Sequence, residues 1–129
     1  MILIHLFLIM KINFRQTLGQ EGEERAKKFF QEKGFLVVTS NFRFKRIGEI
    51  DLIVFKKGLL IFVEVKTRKT VKYGGGLYSL NRKKIRTIKR VAENFLFLNP
   101  NFYHSKITCR FDLINIKADQ IEWRQDCFR

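Results

Sequence analysis

Glu49, Asp51, Glu64 and Lys66 are the residues in this chain best spaced to do chemistry together. They interrupt the stretch GEIDLIVFKKGLLIFVEVKTR, Gly48 to Arg68, which otherwise reads as two apolar strands around a Lys57-Gly58 turn. Charges in such a setting are expensive unless they are paired or hold a metal. Side chains alternate along a strand, so Glu64 and Lys66 share a face. With Lys57-Gly58 as a two-residue turn, Phe55 faces Leu60, Ile53 faces Phe62, Asp51 faces Glu64 and Glu49 falls opposite Lys66. A four-residue loop keeps this register, whereas a three-residue loop shifts it by one. Carboxylates opposed in this way have Cβ atoms about 5 Å apart and repel each other. A hard divalent cation such as Mg²⁺ or Mn²⁺, bound through oxygen, would cancel that repulsion. Lys66 would then stand beside the ion, placed to position a water, help deprotonate it, or neutralise charge on a phosphate. The same spacing also suits a structural ion-pair cluster of Glu64, Lys66 and Asp51 at a sheet end, and the pattern alone leaves both readings open.

Positioning these groups requires a small set of elements. Leu18 to Lys33 predicts a helix with Ala26, Phe29 and Phe30 on its apolar side and Gly34 as its stop. Phe35 to Thr39 reads as a short strand, followed by the basic connection SNFRFKRIG and by hairpin strands over Glu49–Phe55 and Leu60–Thr67. The stretch RKTVKYGGG reads as a glycine-rich loop. Leu80 to Leu98 predicts a second helix, with Ile85, Ile88, Ala92 and Phe95 on one side and Pro100 just past its end. Thr108–Ile116 and Gln120–Arg124 predict two closing strands. The order α-β-β-β-α-β-β indicates one α/β domain with a mixed central sheet flanked by helices.

The chain has 129 residues, 46% of them hydrophobic and 14 of them phenylalanine, enough for one packed domain. Twenty-six Lys and Arg against 12 Asp and Glu leave a net charge of +14, which favours a polyanionic partner, with nucleic acid ahead of an anionic membrane surface. Cys109 and Cys127 are the only cysteines and form no C-x-x-C pair. That excludes a disulfide framework, argues with the isolated His5 and His104 against a zinc site, and suggests buried or incidental thiols in a reducing cytoplasm. The opening MILIHLFLIM is too short to span a bilayer and lacks the flanks of a signal peptide. Residues 1–12 are expected to be an apolar appendage, an extra strand, or a segment upstream of a start at Met10, with the domain occupying 13–129; no stable membrane association is expected.

The hairpin motifs GEIDLI and FVEVKTR resemble the YraN-like bacterial proteins, an uncharacterised group related to Holliday-junction resolvases and to the PD-(D/E)xK nucleases. The likeness runs from about Gly19 to Asp112 and takes in GEERAKKFFQEKGF, the Asn and Arg of NFR, the YG after the third strand, Lys84, and RFD at 110–112. It implies a restriction-endonuclease-like fold and a Mg²⁺- or Mn²⁺-dependent deoxyribonuclease acting on branched recombination or repair intermediates, as a homodimer. It carries Asp51, Glu64 and Lys66 onto the nuclease core. On that reading Asp51 and Glu64 hold the metal with the Val65 carbonyl, and Lys66 activates the attacking water. The resemblance also adds Glu23 as a catalytic residue and metal-site group. On a helix Glu23 shares a side with Gly19, Ala26 and Phe30, where it could support the metal or simply answer the helix dipole. Ile50 stands where the wider nuclease pattern has proline, but the YraN-like group itself carries GEID.

Arg82, Lys83, Lys84, Arg86 and Lys89 crowd the first half of the second helix, and Arg43, Lys45 and Arg46 of the basic connection, with Arg68 after the third strand, could extend the same surface. Phosphate contacts are their expected use, giving affinity without sequence readout. A nucleic-acid-binding module that keeps this fold but cleaves nothing is the alternative, and the intact Asp51, Glu64 and Lys66 favour the enzyme.

Overall fold

The computed structural model describes residues 18–68 and 80–129; the apolar start and most of the glycine-rich segment, including the YG pair, lie outside the described residues. Helix α1 covers 18–32, followed by β1 (Leu36–Phe44), β2 (Gly48–Lys56), β3 (Leu59–Arg68), α2 (Arg82–Leu98), a short 3-10 turn at Pro100–Phe102, β4 (Thr108–Lys117) and β5 (Gln120–Phe128). The strands form one mixed sheet in the order β1-β2-β3-β4-β5, in which only β3 and β4 run parallel. This is the expected α/β domain, and its arrangement is consistent with a restriction-endonuclease-like fold.

The ends of the helices follow local chemistry. Gly34, at φ 87°, closes α1: Phe35 N–H bonds the Phe30 carbonyl and Gly34 N–H the Gln31 carbonyl, a pattern that needs a left-handed residue just past the helix. Asn81 caps α2 by accepting the Lys84 N–H at 2.8 Å. At the hairpin, Lys57 and Gly58 both take positive φ, 47° and 78°, matching the two-residue turn whose twist suits antiparallel strands.

Each sheet face buries one helix. Ala26 and Phe30 of α1 pack with Leu52, Val54, Ile61, Val63, Ile114 and Ile116. Ile88, Val91, Ala92 and Phe95 of α2 pack with Ile50, Ile53, Leu60 and Phe62 on the other face. Gly22 of α1 lies directly against Thr67, and Gly48 directly against Thr87 of α2. A side chain at either glycine would push its helix off the sheet beside the charged end of the hairpin.

Several boundaries differ from expectation. Strand β1 runs through Phe44, so Arg43 is a strand residue and only 45–47 form the turn. Strand β5 continues to Phe128 because its far end pairs with Phe111 across a bulge. Both cysteines are exposed rather than buried. No helix among the described residues is long and apolar enough to cross a membrane.

The RFD motif turns out to be a structural tie. Asp112 is buried; it receives two bonds from Arg110 (2.9 and 2.8 Å), one from Trp123 Nε1 (2.8 Å) and one from the Asp126 N–H (2.9 Å). Trp123 in turn packs edge-on against Phe29, Phe30 and Phe35, so one carboxylate fastens β4, the β5 bulge and α1 together. Replacing Asp112 by Ala leaves a half-buried guanidinium, an indole N–H and a backbone N–H without their acceptor, and is expected to lower stability by about 2–3 kcal/mol. Urea unfolding of the variant measures this, and a loss below ~1 kcal/mol would contradict the role given to Asp112.

Candidate functional site

The hairpin keeps the expected register from Lys56↔Leu59 to Leu52↔Val63, and there its ladder ends. Beyond that point β2 stays paired with β1 as far as Gly48, while β3 stays paired with β4 as far as Arg68. The sheet therefore forks, and Asp51 and Glu64 are the first residues inside the fork. Ile50 and Ile53 both face α2 although they are three apart, which simple alternation forbids. The strand twists at Asp51 and turns that side chain into the gap.

Asp51 fills the gap by accepting the Val65 N–H at 2.8 Å. In an extended strand the N–H and C=O of one residue point to the same side, so the Val65 carbonyl also points into the fork. Glu64 is 8% exposed and has Lys84 of α2 as its closest cation, at 3.8 Å. Burial and the neighbouring Asp51 charge push the Glu64 carboxyl up from 4.5 to about 8. Burial raises Asp51 as well, against the Val65 bond and a bond from Glu64. Both shifts point the same way: burial and mutual repulsion disfavour charging the two carboxyls together. The buried Glu64 and half-buried Asp51 carboxyls, with the Val65 carbonyl on the same side, form a hard-oxygen donor set of the kind that suits Mg²⁺ or Mn²⁺.

The other expected residues are gathered unevenly. Glu23 stands at the rim of the fork, half-buried, its carboxylate accepting a bond from Asn41 Nδ2 at 3.0 Å. Its carboxyl is raised chiefly by burial, with Asp51 and Glu49 adding to the effect. Among the described residues no three Asp, Glu, His or Cys side chains converge closely enough to hold an ion, so Glu23 is not part of a preassembled cage with Asp51 and Glu64. Ligation would rely on those two, the Val65 carbonyl and solvent. Glu49 is turned away, paired with Arg43 across the β1–β2 ladder at 3.2 Å. Lys66 is half-buried on the Glu64 side and lowers the Glu64 pKa.

Among the basic residues, Arg82, Lys83 and Arg86 are exposed on α2 and Lys89 is half-exposed. The Gly48–Thr87 contact brings Lys45 and Arg46, both exposed, beside them. Lys84 belongs instead to the acidic pair, and Arg43 is engaged with Glu49. Arg68 lines a depression with Leu18 and Gly22 of α1 and is not part of the α2 surface.

Asn41 is the site residue that motif reasoning did not place. It sits in β1 with φ 53°, a conformation Asn tolerates better than most residues. There it interrupts the strand and aims its amide at Glu23. Its only signal in the sequence was its place in NFR.

A profile of the uncharacterised protein family UPF0102 matches residues 22–116. The chain belongs to the UPF0102 family. A UPF0102 protein of Shewanella baltica is 41% identical over 112 residues, covering 87% of this chain and 99% of the relative. One from Shewanella frigidimarina is 39% identical over 113 residues, covering 85% and 97%. Another from Halorhodospira halophila is 37% identical over 111 residues, covering 86% of each. Fork, acidic pair, Lys84, Asn41 and Glu23 all lie inside the family match.

The raised Glu64 pKa carries a sign. A carboxyl held at about 8 in the fold and near 4.5 when unfolded gives its full stabilisation below the unfolded value, and loses it as pH rises through about 8. Without metal, the protein should melt higher near pH ~6 than near pH ~9, by about 4 °C for each kcal/mol involved. Glu64→Gln should flatten that slope, and an equal slope in both proteins would contradict the raised Glu64 carboxyl.

Proposed function

We propose that this UPF0102 protein is a metal-dependent endonuclease that hydrolyses DNA phosphodiester bonds, with structure rather than base sequence as its cue. The single observation that supports it most is the fork: a buried Glu64 and a half-buried Asp51 set together, Asp51 bonded to the Val65 N–H, and lysines from β3 and α2 alongside. Such a pair destabilises the empty fold, and a structural role would be served better by apolar residues. A divalent cation there would polarise the phosphate and lower the pKa of a bound water.

Asp51, Glu64 and the Val65 carbonyl would hold the ion. Lys66, on the Glu64 face, would orient the attacking water and meet charge developing on the phosphate. Lys84 would neutralise the excess charge of the pair, and Glu23, steadied by Asn41, would order water at the rim. Arg82, Lys83, Arg86, Lys45 and Arg46 would hold the flanking phosphates. No base-reading motif accompanies them, which favours branched substrates in a cytoplasmic setting. Homodimer formation on a symmetric junction extends the same reading.

A second reading, a DNA-binding module without cleavage, draws on the lack of a third carboxylate in the fork among the described residues. Metal titration separates the two. Mn²⁺ at 100 times its dissociation constant should add about 2.7 kcal/mol of stability to the unaltered chain. Asp51→Asn should abolish that gain together with cleavage of branched DNA, while Lys66→Ala keeps the gain and loses turnover. An unaltered protein that melts at the same temperature with Mn²⁺ and with chelator would overturn the enzyme reading.

DNA binding with the metal chelated should weaken steeply with salt. Replacing Arg82, Lys83, Arg86 and Lys45 by Ala should reduce the log–log slope by about 0.9 for each phosphate no longer neutralised. Fluorescence anisotropy across a salt series reads this slope, and an unchanged slope would show that the surface is merely solvated.

A further inference from the structure

Asn115, in the middle of β4, is 1% exposed, and neither its Oδ1 nor its Nδ2 has a hydrogen-bond partner among the described residues. Its neighbours along the strand are Ile114 and Ile116, and Leu113 lies two residues back on the same face. An aliphatic residue would suit such a place, and leaving both ends of a buried amide unpaired costs about 1–3 kcal/mol per group. The burial therefore calls for a reason outside packing.

The register supplies one. Asn115 is aligned with Lys66 of β3 on one side and with Glu122 of β5 on the other. Aligned residues on neighbouring strands project from the same face, as they do elsewhere in this sheet: Phe62 stacks on Phe111, and Phe111 on Phe128, at aligned positions. The row before it runs Glu64–Leu113–Arg124, and this row runs Lys66–Asn115–Glu122. A cation, an amide and a carboxylate thus stand side by side, one strand spacing (~4.8 Å) apart. The polarity matches at both junctions, because an amide oxygen accepts from an ammonium and an amide N–H donates to a carboxylate. Glu122 is meanwhile engaged with Arg124 at 3.2 Å, and Lys66 lies within the field of Glu64.

We propose that Asn115 is a positioning residue for Lys66: its Oδ1 takes one ammonium N–H and its Nδ2 answers Glu122, so that the lysine is fixed when the acidic pair is occupied. The assignment rests on the reading of Lys66 as the group that orients the attacking water. A long lysine side chain carries about 2 kcal/mol of rotamer entropy, and small losses of alignment at a reacting centre lower rates steeply. With the acidic pair occupied, the ion answers the Glu64 charge to which Lys66 is otherwise exposed, and Asn115 is a buried acceptor on the same face that can receive the lysine.

The test compares Asn115→Val with Asn115→Thr, variants of nearly equal shape that differ in the hydroxyl acceptor. Both suit a strand rich in β-branched residues, and Asn115→Val should melt no lower than the unaltered chain. In full-length protein labelled at lysine Cε, with the Lys66 signal assigned through Lys66→Arg, saturating Mg²⁺ should shift and immobilise Lys66 in the unaltered chain. In Asn115→Val, Mg²⁺ should give the same thermal stabilisation yet leave Lys66 as mobile as in chelator, and Asn115→Thr should recover part of the immobilisation. Mn²⁺-dependent cleavage should fall by roughly 10- to 100-fold in kcat for Asn115→Val, with KM little changed and partial rescue by Thr. A Lys66 signal that responds to Mg²⁺ identically in Asn115→Val and the unaltered chain, or that does not respond in either, overturns the proposal. Failure of the unaltered chain to cut any DNA would sink the nuclease reading instead, and the Lys66 signal would still decide the role of Asn115.

Discussion

The bond from the Val65 N–H to the Asp51 carboxylate sits at the point on which the site's geometry turns. Where β2 and β3 part, a strand N–H would lose its ladder partner, and a buried unpaired amide is costly. Asp51 supplies the missing acceptor from a side chain. That substitution lets the sheet open without leaving an orphan donor, and it fixes a carboxylate in the plane of the sheet. Glu64 follows as its unavoidable neighbour; their repulsion and burial raise the Glu64 carboxyl, and Lys84 offsets part of that charge.

Two helices then keep the fork rigid from opposite faces. Gly22 brings α1 against Thr67 at the end of β3, and Gly48 brings β2 against Thr87 of α2. Close approach on α1 sets Glu23 at the rim, where Asn41 holds it. Close approach on α2 lets Lys84, itself anchored through the Asn81 cap, reach Glu64. The same packing that builds the core therefore delivers charged groups from four elements to one end of the sheet. The aromatic rings serve this purpose, since edge-on pairs tie α1 to β5 and α2 to β1 and β3.

Charge is distributed with equal economy. The first turn of α2 contains no acid and carries Arg82, Lys83 and Lys84, although cations there oppose the helix dipole. Lys84 is answered by Glu64; Arg82 and Lys83 remain exposed to solvent. An arrangement unfavourable to the isolated helix becomes favourable beside a polyanion, in keeping with a surplus of fourteen positive charges.

Much of this was legible in the residues themselves. Two apolar runs about Lys57-Gly58 determined the hairpin and its register, because a two-residue turn admits one pairing, and that register placed Asp51 beside Glu64. Periodicity and the stop at Gly34 determined both helices, and the hairpin motifs pointed to the family. What lies between sequence-distant elements was not legible. The early end of the ladder, the capture of Lys84 by Glu64, the diversion of Glu49 to Arg43 and the binding of Asp112 by Trp123 depend on twist and close packing, and local spacing does not encode those distances. Asn115 shows the limit most plainly: in sequence it is a polar residue between two isoleucines. Only pairing with a strand from the other side of α2, and with the strand that follows, sets it between a lysine and a glutamate and leaves its amide unbonded among the described residues.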